Sequence, residues 1–215
     1  MSVARNALLA LVCVFATQAS LASMISPFIS EIHYDNAGAD VGEFVAVTGP
    51  AGLDLSGWKI VLYNGSNGQF YRSVDLSGEL LGTAGSLVEA YWTMSGIQNG
   101  PDAVALVSGT GSVAEFIAYE AAVTAGNGDA AGLTARQLPV DENSSTAIGQ
   151  SLQRVGGLDL WSWRVAQATP GIVNSGLQVP AVAAVPVPAS LGLCVAGLVG
   201  MSVRRVRTAV LPDRR

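Results

Sequence analysis

Cysteine is nearly missing from this chain: the two that occur, Cys13 and Cys194, lie in apolar stretches near the two ends. The residues between them therefore have no disulfide to staple them, no thiol nucleophile and no thiolate ligand for zinc. Histidine is scarcer, with His33 alone. There is no His-Glu-x-x-His metal motif and no strand-loop-helix serine elbow, so these two signatures of hydrolytic chemistry are missing. Basic side chains are few in the middle. Between 23 and 178, Lys59, Arg72, Arg136, Arg154 and Arg164 stand against fifteen acidic residues, a net charge of −10. A domain of that sign repels phosphate backbones, and no nucleic-acid partner is expected. Helical periodicity is lacking too, surviving nowhere in the middle for more than about two turns.

What is present is apolar and rich in turns. Half of the 215 residues are hydrophobic, 13% are charged and 25 are glycine. That composition argues against disorder and for short elements joined by tight turns. The amino end combines Arg5, an apolar stretch from 8 to 16 and the small-x-small run Ser20-Leu21-Ala22. This reads as a secretory signal peptide over 1–22, cut after Ala22, because its apolar stretch of about nine to twelve residues is short for a membrane anchor. Removing both end segments leaves about 150 residues, enough for one domain with a proper core.

The far end divides into three parts. No residue from 176 to 203 is charged, and Pro180, Pro186 and Pro188 make 179–188 an extended spacer. Residues 189–203 contain no proline and form an expected apolar transmembrane helix, slightly short for a hydrocarbon core of about 30 Å unless the flanking arginines snorkel. Residues 204–215 are a basic tail with Arg204, Arg205, Arg207, Arg214 and Arg215 against the single acid Asp213. The positive-inside rule puts these arginines in the cytoplasm and the acidic domain outside. Val185, Pro186, Pro188 and Ala189, followed by the apolar helix and then Arg204, Arg205 and Arg207, resemble the PEP-CTERM sorting signal of exported bacterial proteins. The resemblance implies an exosortase-type enzyme as a partner, an inner-membrane-anchored precursor, and a destination at the cell surface or in an exopolysaccharide matrix. Val187 stands where the Val-Pro-Glu-Pro form of the motif has glutamate.

Between the ends, period-two alternation predicts eight short strands. In "FISEIHYD", Phe28, Ser30, Ile32 and Tyr34 alternate with Ile29, Glu31, His33 and Asp35. "EFVAVTG", "WKIVLYN", "QFYRSVDLSG", "SLVEAYWTM", "DAVALVSG", "VAEFIAYE" and "QSLQRV" follow, and the "GTG" between the sixth and seventh strands predicts a hairpin. The stretch 121–145 is the least regular and is expected as a long surface loop at an edge or over one end. Many short strands with glycine-rich turns predict an all-β antiparallel sandwich or barrel over 23–178. "FISEIHYDNAG", "GEFVAVTGPAGLDLSGWKIVLYNG", "IQNGPDAVALV", "IGQSLQR" and "WRVAQATPGIVNSG" together resemble a lamin-tail domain of the bacterial exported type. That resemblance implies an immunoglobulin-like antiparallel β-sandwich. Its most distinctive pieces are Asp54-Leu55-Ser56-Gly57-Trp58 and Ala168-Thr169-Pro170-Gly171-x-x-Asn174, while Ala46 stands where the family commonly has glutamate. Both pieces read as folding devices: a turn that introduces a strand and buries Trp58, and a turn that closes the sandwich.

Three kinds of chemistry remain to be weighed. Glu31, Asp35, Asn36, Asp40 and Glu43 place five oxygen-bearing side chains within thirteen residues, a candidate calcium site that does not follow the EF-hand spacing. Calcium is the one cofactor such a pattern suggests. Tyr34, Tyr71, Tyr91 and Trp92 are candidate sugar-stacking aromatics of an adhesin-like module. His33, with Asp35 to orient it, is the candidate base of an extracellular nuclease or esterase. The leading expectation is a non-enzymatic exported protein: one β-sandwich acting as a binding or structural module toward matrix polysaccharide or other surface proteins.

Overall fold

The computed structural model describes residues 25–83, 85–157 and 160–178. The expected signal peptide with Ala22, the spacer, the apolar helix, the basic tail and every residue of the sorting motif lie outside the described residues. Within them there are eleven strands and no helix: β1 (Phe28–His33), β2 (Phe44–Pro50), β3 (Lys59–Asn64), β4 (Phe70–Asp75), β5 (Leu87–Thr93), β6 (Asp102–Val107), β7 (Val113–Tyr119), β8 (Arg136–Gln137), β9 (Gln150–Gly157), β10 (Trp161–Gln167) and β11 (Leu177–Gln178). One sheet has the order β10-β9-β1-β2-β5, with β11 added parallel to β9. The other has the order β4-β3-β6-β7-β8 and is antiparallel except for the β7–β8 pair.

The two sheets bury one shared core, as in a β-sandwich. Ile29, Ile32, Val45, Val47 and Leu152 from the first sheet join Ile60, Leu62, Val104, Leu106 and Ile117 from the second. These inward positions follow the alternation in β2 and β3 that the sequence predicts. Strand β1 departs from it. Its pairing with β2 shifts between Ile29 and Glu31, a bulge at Ser30, so Ile29 enters the core beside Ile32 instead of joining Glu31 on the opposite face. The turn at 54–58 forms as expected, with Asp54 accepting the Ser56 amide at 2.8 Å. Its buried anchor, however, is Leu55, while Trp58 is half-buried. A fully buried leucine contributes about 1.5–3 kcal/mol, so Leu55 is a main anchor of this turn.

Both outer faces are partly covered, which the sequence reading did not anticipate. Residues 121–135, expected as a surface loop, lie on the outer face of the second sheet. Val123, Ala125, Ala130 and Ala135 pack there against Val61, Tyr63, Ala105 and Phe116. Strand β6 is consequently buried on both faces, which explains why "AVALV", residues 103–107, is continuously apolar. Alanines keep the approach close, and Gly65 permits another: a Cβ at that position would lie 1.7 Å from the Pro101 carbonyl oxygen. On the first sheet, residues 168–176 form a strap fixed by Asn174, whose amide donates to Ser30 O at 2.8 Å and Arg154 O at 3.3 Å. Strand β10 was not among the predicted strands, although Trp161, Trp163 and Val165 alternate with Ser162, Arg164 and Ala166.

Candidate functional site

His33 ends β1 and is buried, 3% exposed. Nδ1 lies 2.9 Å from Glu142 Oε1 and Nε2 lies 3.0 Å from the Val41 carbonyl oxygen. A carbonyl and an ionised carboxylate only accept, so satisfying both contacts requires a proton on each nitrogen. Burial works against the charged ring, but the hydrogen bond and charge of Glu142 outweigh it, helped by Val41 O, and the pKa is raised above 6.5. Glu142 also accepts the backbone amides of Tyr34 at 2.6 Å and Asp35 at 3.2 Å. Its own backbone amide donates to the Tyr34 hydroxyl at 2.8 Å. The imidazole thus fastens the 139–147 segment to the end of β1, with both nitrogens engaged. Asp35, its expected orienting partner, makes no hydrogen bond to it; Glu142 fills that place.

The five candidate calcium ligands do not converge on one point. Glu31 is fully buried under the strap, where Ser151 Oγ (2.5 Å), Thr169 N (2.8 Å) and Thr169 Oγ1 (3.0 Å) donate to it. The Asn36 side chain closes its own loop, accepting the Val41 amide at 3.1 Å and donating to the carbonyls of Ala37 and Ala39. Asp35 and Asp40 do come together: burial, then the Asp40 carboxylate, raise the Asp35 pKa. Asp40 accepts a hydrogen bond from Asn99 at 3.0 Å. Glu43 accepts the Gly96 amide at 2.6 Å through Oε2, while its Oε1 is buried without a partner. Asp40 and Glu43 line a cavity of about 370 Å³ that also contains Arg72 and Thr93. Among the described residues, no three His, Cys, Asp or Glu side chains converge to hold a metal ion.

Sequence reasoning missed a second buried carboxylate. Glu89 of β5 accepts from Ser30 Oγ at 2.7 Å, Thr48 Oγ1 at 3.1 Å and the Gly171 amide at 3.2 Å. Burial pushes its pKa up to about 7, the nearby Glu31 adds to that, and the three donors pull against it. The strap motif Thr169-Pro170-Gly171-x-x-Asn174 therefore does more than end the sandwich: it supplies donors to Glu31 and Glu89. Ala46 lies between Glu31 and Tyr91 in the ladder and is fully buried, so position 46 offers no polar group there.

A further ion pair joins the sheets, Arg154 to Glu115 at 2.8 Å, with Glu115 also accepting the Ile29 amide at 2.7 Å. The indole of Trp161 lies under the guanidinium groups of Arg136 and Arg154, at 3.7 Å and 4.1 Å. Of the four candidate stacking aromatics, Tyr34 is buried against Tyr119 with ring centroids 3.9 Å apart. Tyr71 and Trp92 pack on the shared core, and Tyr91 is exposed beside Gly171. Set against protein-family models, curated proteins and solved structures, the chain matches none.

Proposed function

We propose that this is a non-enzymatic exported protein of the cell surface or extracellular matrix. Its lamin-tail-like, immunoglobulin-like β-sandwich acts as a binding or structural module. In this reading the signal peptide starts export, the apolar helix at 189–203 holds a precursor in the inner membrane, and an exosortase-type enzyme processes the tail through its proline motif. The observation that carries it is the order of segments: an export signal, an acidic domain of net charge −10, then prolines, an apolar run and arginines. The all-β sandwich supports it, because the family's two distinctive pieces occur here as folding devices.

The chemistry of the candidate groups favours a module over a hydrolase. A general base needs a lone pair facing the substrate, and both ring nitrogens of His33 are already engaged, one with Glu142 and one with the Val41 carbonyl. The test is the mass of the mature chain in cells that make an exosortase. Wild type is expected to lose its carboxyl-terminal segment. A Pro186→Ala, Pro188→Ala double variant is expected to keep it and remain with the membrane. Wild type retaining the whole tail in such cells would remove the sorting part of the reading.

A further inference from the structure

The covering segment on the second sheet reaches the edge strand β4 only at Phe70 and leaves a step beside it. There, Lys59, Val61, Phe70, Ser73, Gly128 and Asp129 line a cleft of about 320 Å³. This lies at the lower end of the usual range for ligand pockets, about 300–1,000 Å³. Strands β3 and β4 make its floor. Its wall is pinned at three points: Asn127 Oδ1 accepts the Phe70 amide at 2.8 Å, the Gly126 amide donates to Gly68 O at 2.6 Å, and the Ala130 amide donates to Tyr63 Oη at 2.9 Å. The wall comes close to the ring of Phe70. A Cβ at Gly128 would lie 3.2 Å from Phe70 Cδ1 and 3.0 Å from Tyr63 Oη, so glycine keeps this part of the cleft clear.

The lining has an unusual balance. Phe70 is 47% exposed although it is a large apolar side chain on a strand. Lys59 Nζ and Asp129 Oδ1 pair at 2.8 Å, and both side chains remain partly exposed, at 30% and 26%. The pair is close to neutral in sum, yet it offers donors on one member and acceptors on the other, with the Ser73 hydroxyl able to do both. A polyanion would meet Asp129 and a domain of net charge −10, and a metal cation would meet Lys59. A purely apolar ligand would have to desolvate the ion pair. A sugar ring meets none of these objections, because its C–H face suits an exposed aromatic ring and its hydroxyls suit paired donors and acceptors.

We propose that this cleft binds a pyranose unit of a polysaccharide, with Phe70 under the ring and Lys59, Asp129 and Ser73 on its hydroxyls. The proposal deepens the surface-module reading and rests on it for the presence of polysaccharide. Binding by the purified chain is measured without reference to export, so the two can fail separately. The experiment is affinity electrophoresis of the full chain in mild detergent, through gels containing the uncharged polymers dextran, mannan, galactan or hydroxyethyl cellulose. Retardation by at least one polymer is expected, weakened about tenfold or more by both Phe70→Ala and Asp129→Asn. Ile172→Ala, an exposed apolar side chain on the strap, is expected to bind as wild type. Unchanged melting temperatures separate lost binding from lost folding, and if Phe70→Ala does not fold, Asp129→Asn decides alone. Absence of retardation by every polymer, or wild-type binding by either folded variant, would overturn the proposal.

Discussion

At the residue scale, this domain spends ionisable side chains on construction, and several of them, Glu89 and His33 among them, make its stability depend on pH. The folded-state pKa of Glu89 is raised from 4.5 to about 7. Its contribution is therefore fully present below about pH 4.5 and is lost as pH rises to about 7 and above. His33 is also raised in the fold, so its contribution is present below pH 6.5 and is lost as pH climbs through the raised value. Both slopes run the same way, toward greater stability in mild acid. Urea denaturation at pH 5 and pH 8 separates them. Glu89→Gln keeps its oxygen as acceptor for the Gly171 amide and turns its NH2 toward the Ser30 and Thr48 hydroxyls, which can accept; without a buried charge it is expected to gain about 2 kcal/mol at pH 8 and little at pH 5. Glu142→Gln strips the buried imidazolium of its counter-charge and is expected to lose about 3 kcal/mol at pH 5, and less at pH 8. A Glu89→Gln protein no more stable than wild type at pH 8 would contradict the assignment of a buried carboxylate penalty.

At the scale of elements, the sandwich is held by what lies on its outer faces as well as by its core. Gly65 tests the packing at one end of the second sheet, where Pro101 and, from the cover, Val123 both close on it. Alanine there would place a carbon 1.7 Å from the backbone oxygen of Pro101, which has no flexible side chain to move aside. Gly65→Ala is expected to cost about 3 kcal/mol or to prevent folding, whereas Gly157→Ala, which meets nothing within 4 Å, is expected to be nearly neutral in the same urea titration. Equal stability of the two variants would mean that the Gly65 approach is not tight. The strands were largely legible because alternation survives wherever one face is apolar, as at Val45 and Val47 or Ile60 and Leu62. Alternation failed at Ser30, since a bulge inserts a residue without changing residue types. The cover over 121–135 was illegible because alanine and glycine are as common in free loops as in tightly packed ones. Glu89 and Glu142 were missed for a similar reason: a buried carboxylate looks like a surface one until its donors, distant in sequence, are in place. Phe70 went unnoticed as a ligand-facing aromatic because a register shift in the β3–β4 ladder, at Tyr71, breaks the alternation of β4: Tyr71 and Val74 both turn to the core and Phe70 is left outside.

At the scale of the whole molecule, charge is segregated. The domain between 23 and 178 carries −10, and the arginines gather after 203. In the proposed topology this polarity has a direct use. The basic tail stays with the cytoplasmic leaflet by the positive-inside rule, while an acidic domain outside remains soluble and repels other polyanions. A sandwich partly covered on both faces, with a strap from its own carboxyl-terminal end over one of them, suits a durable module presented outside the cell. The most direct test of that central claim is where the domain resides. A reporter active only outside the cytoplasm, fused after Gln178, is expected to be active with residues 1–22 present and inactive without them. Activity confined to a cytosolic reporter at the same junction would contradict the account.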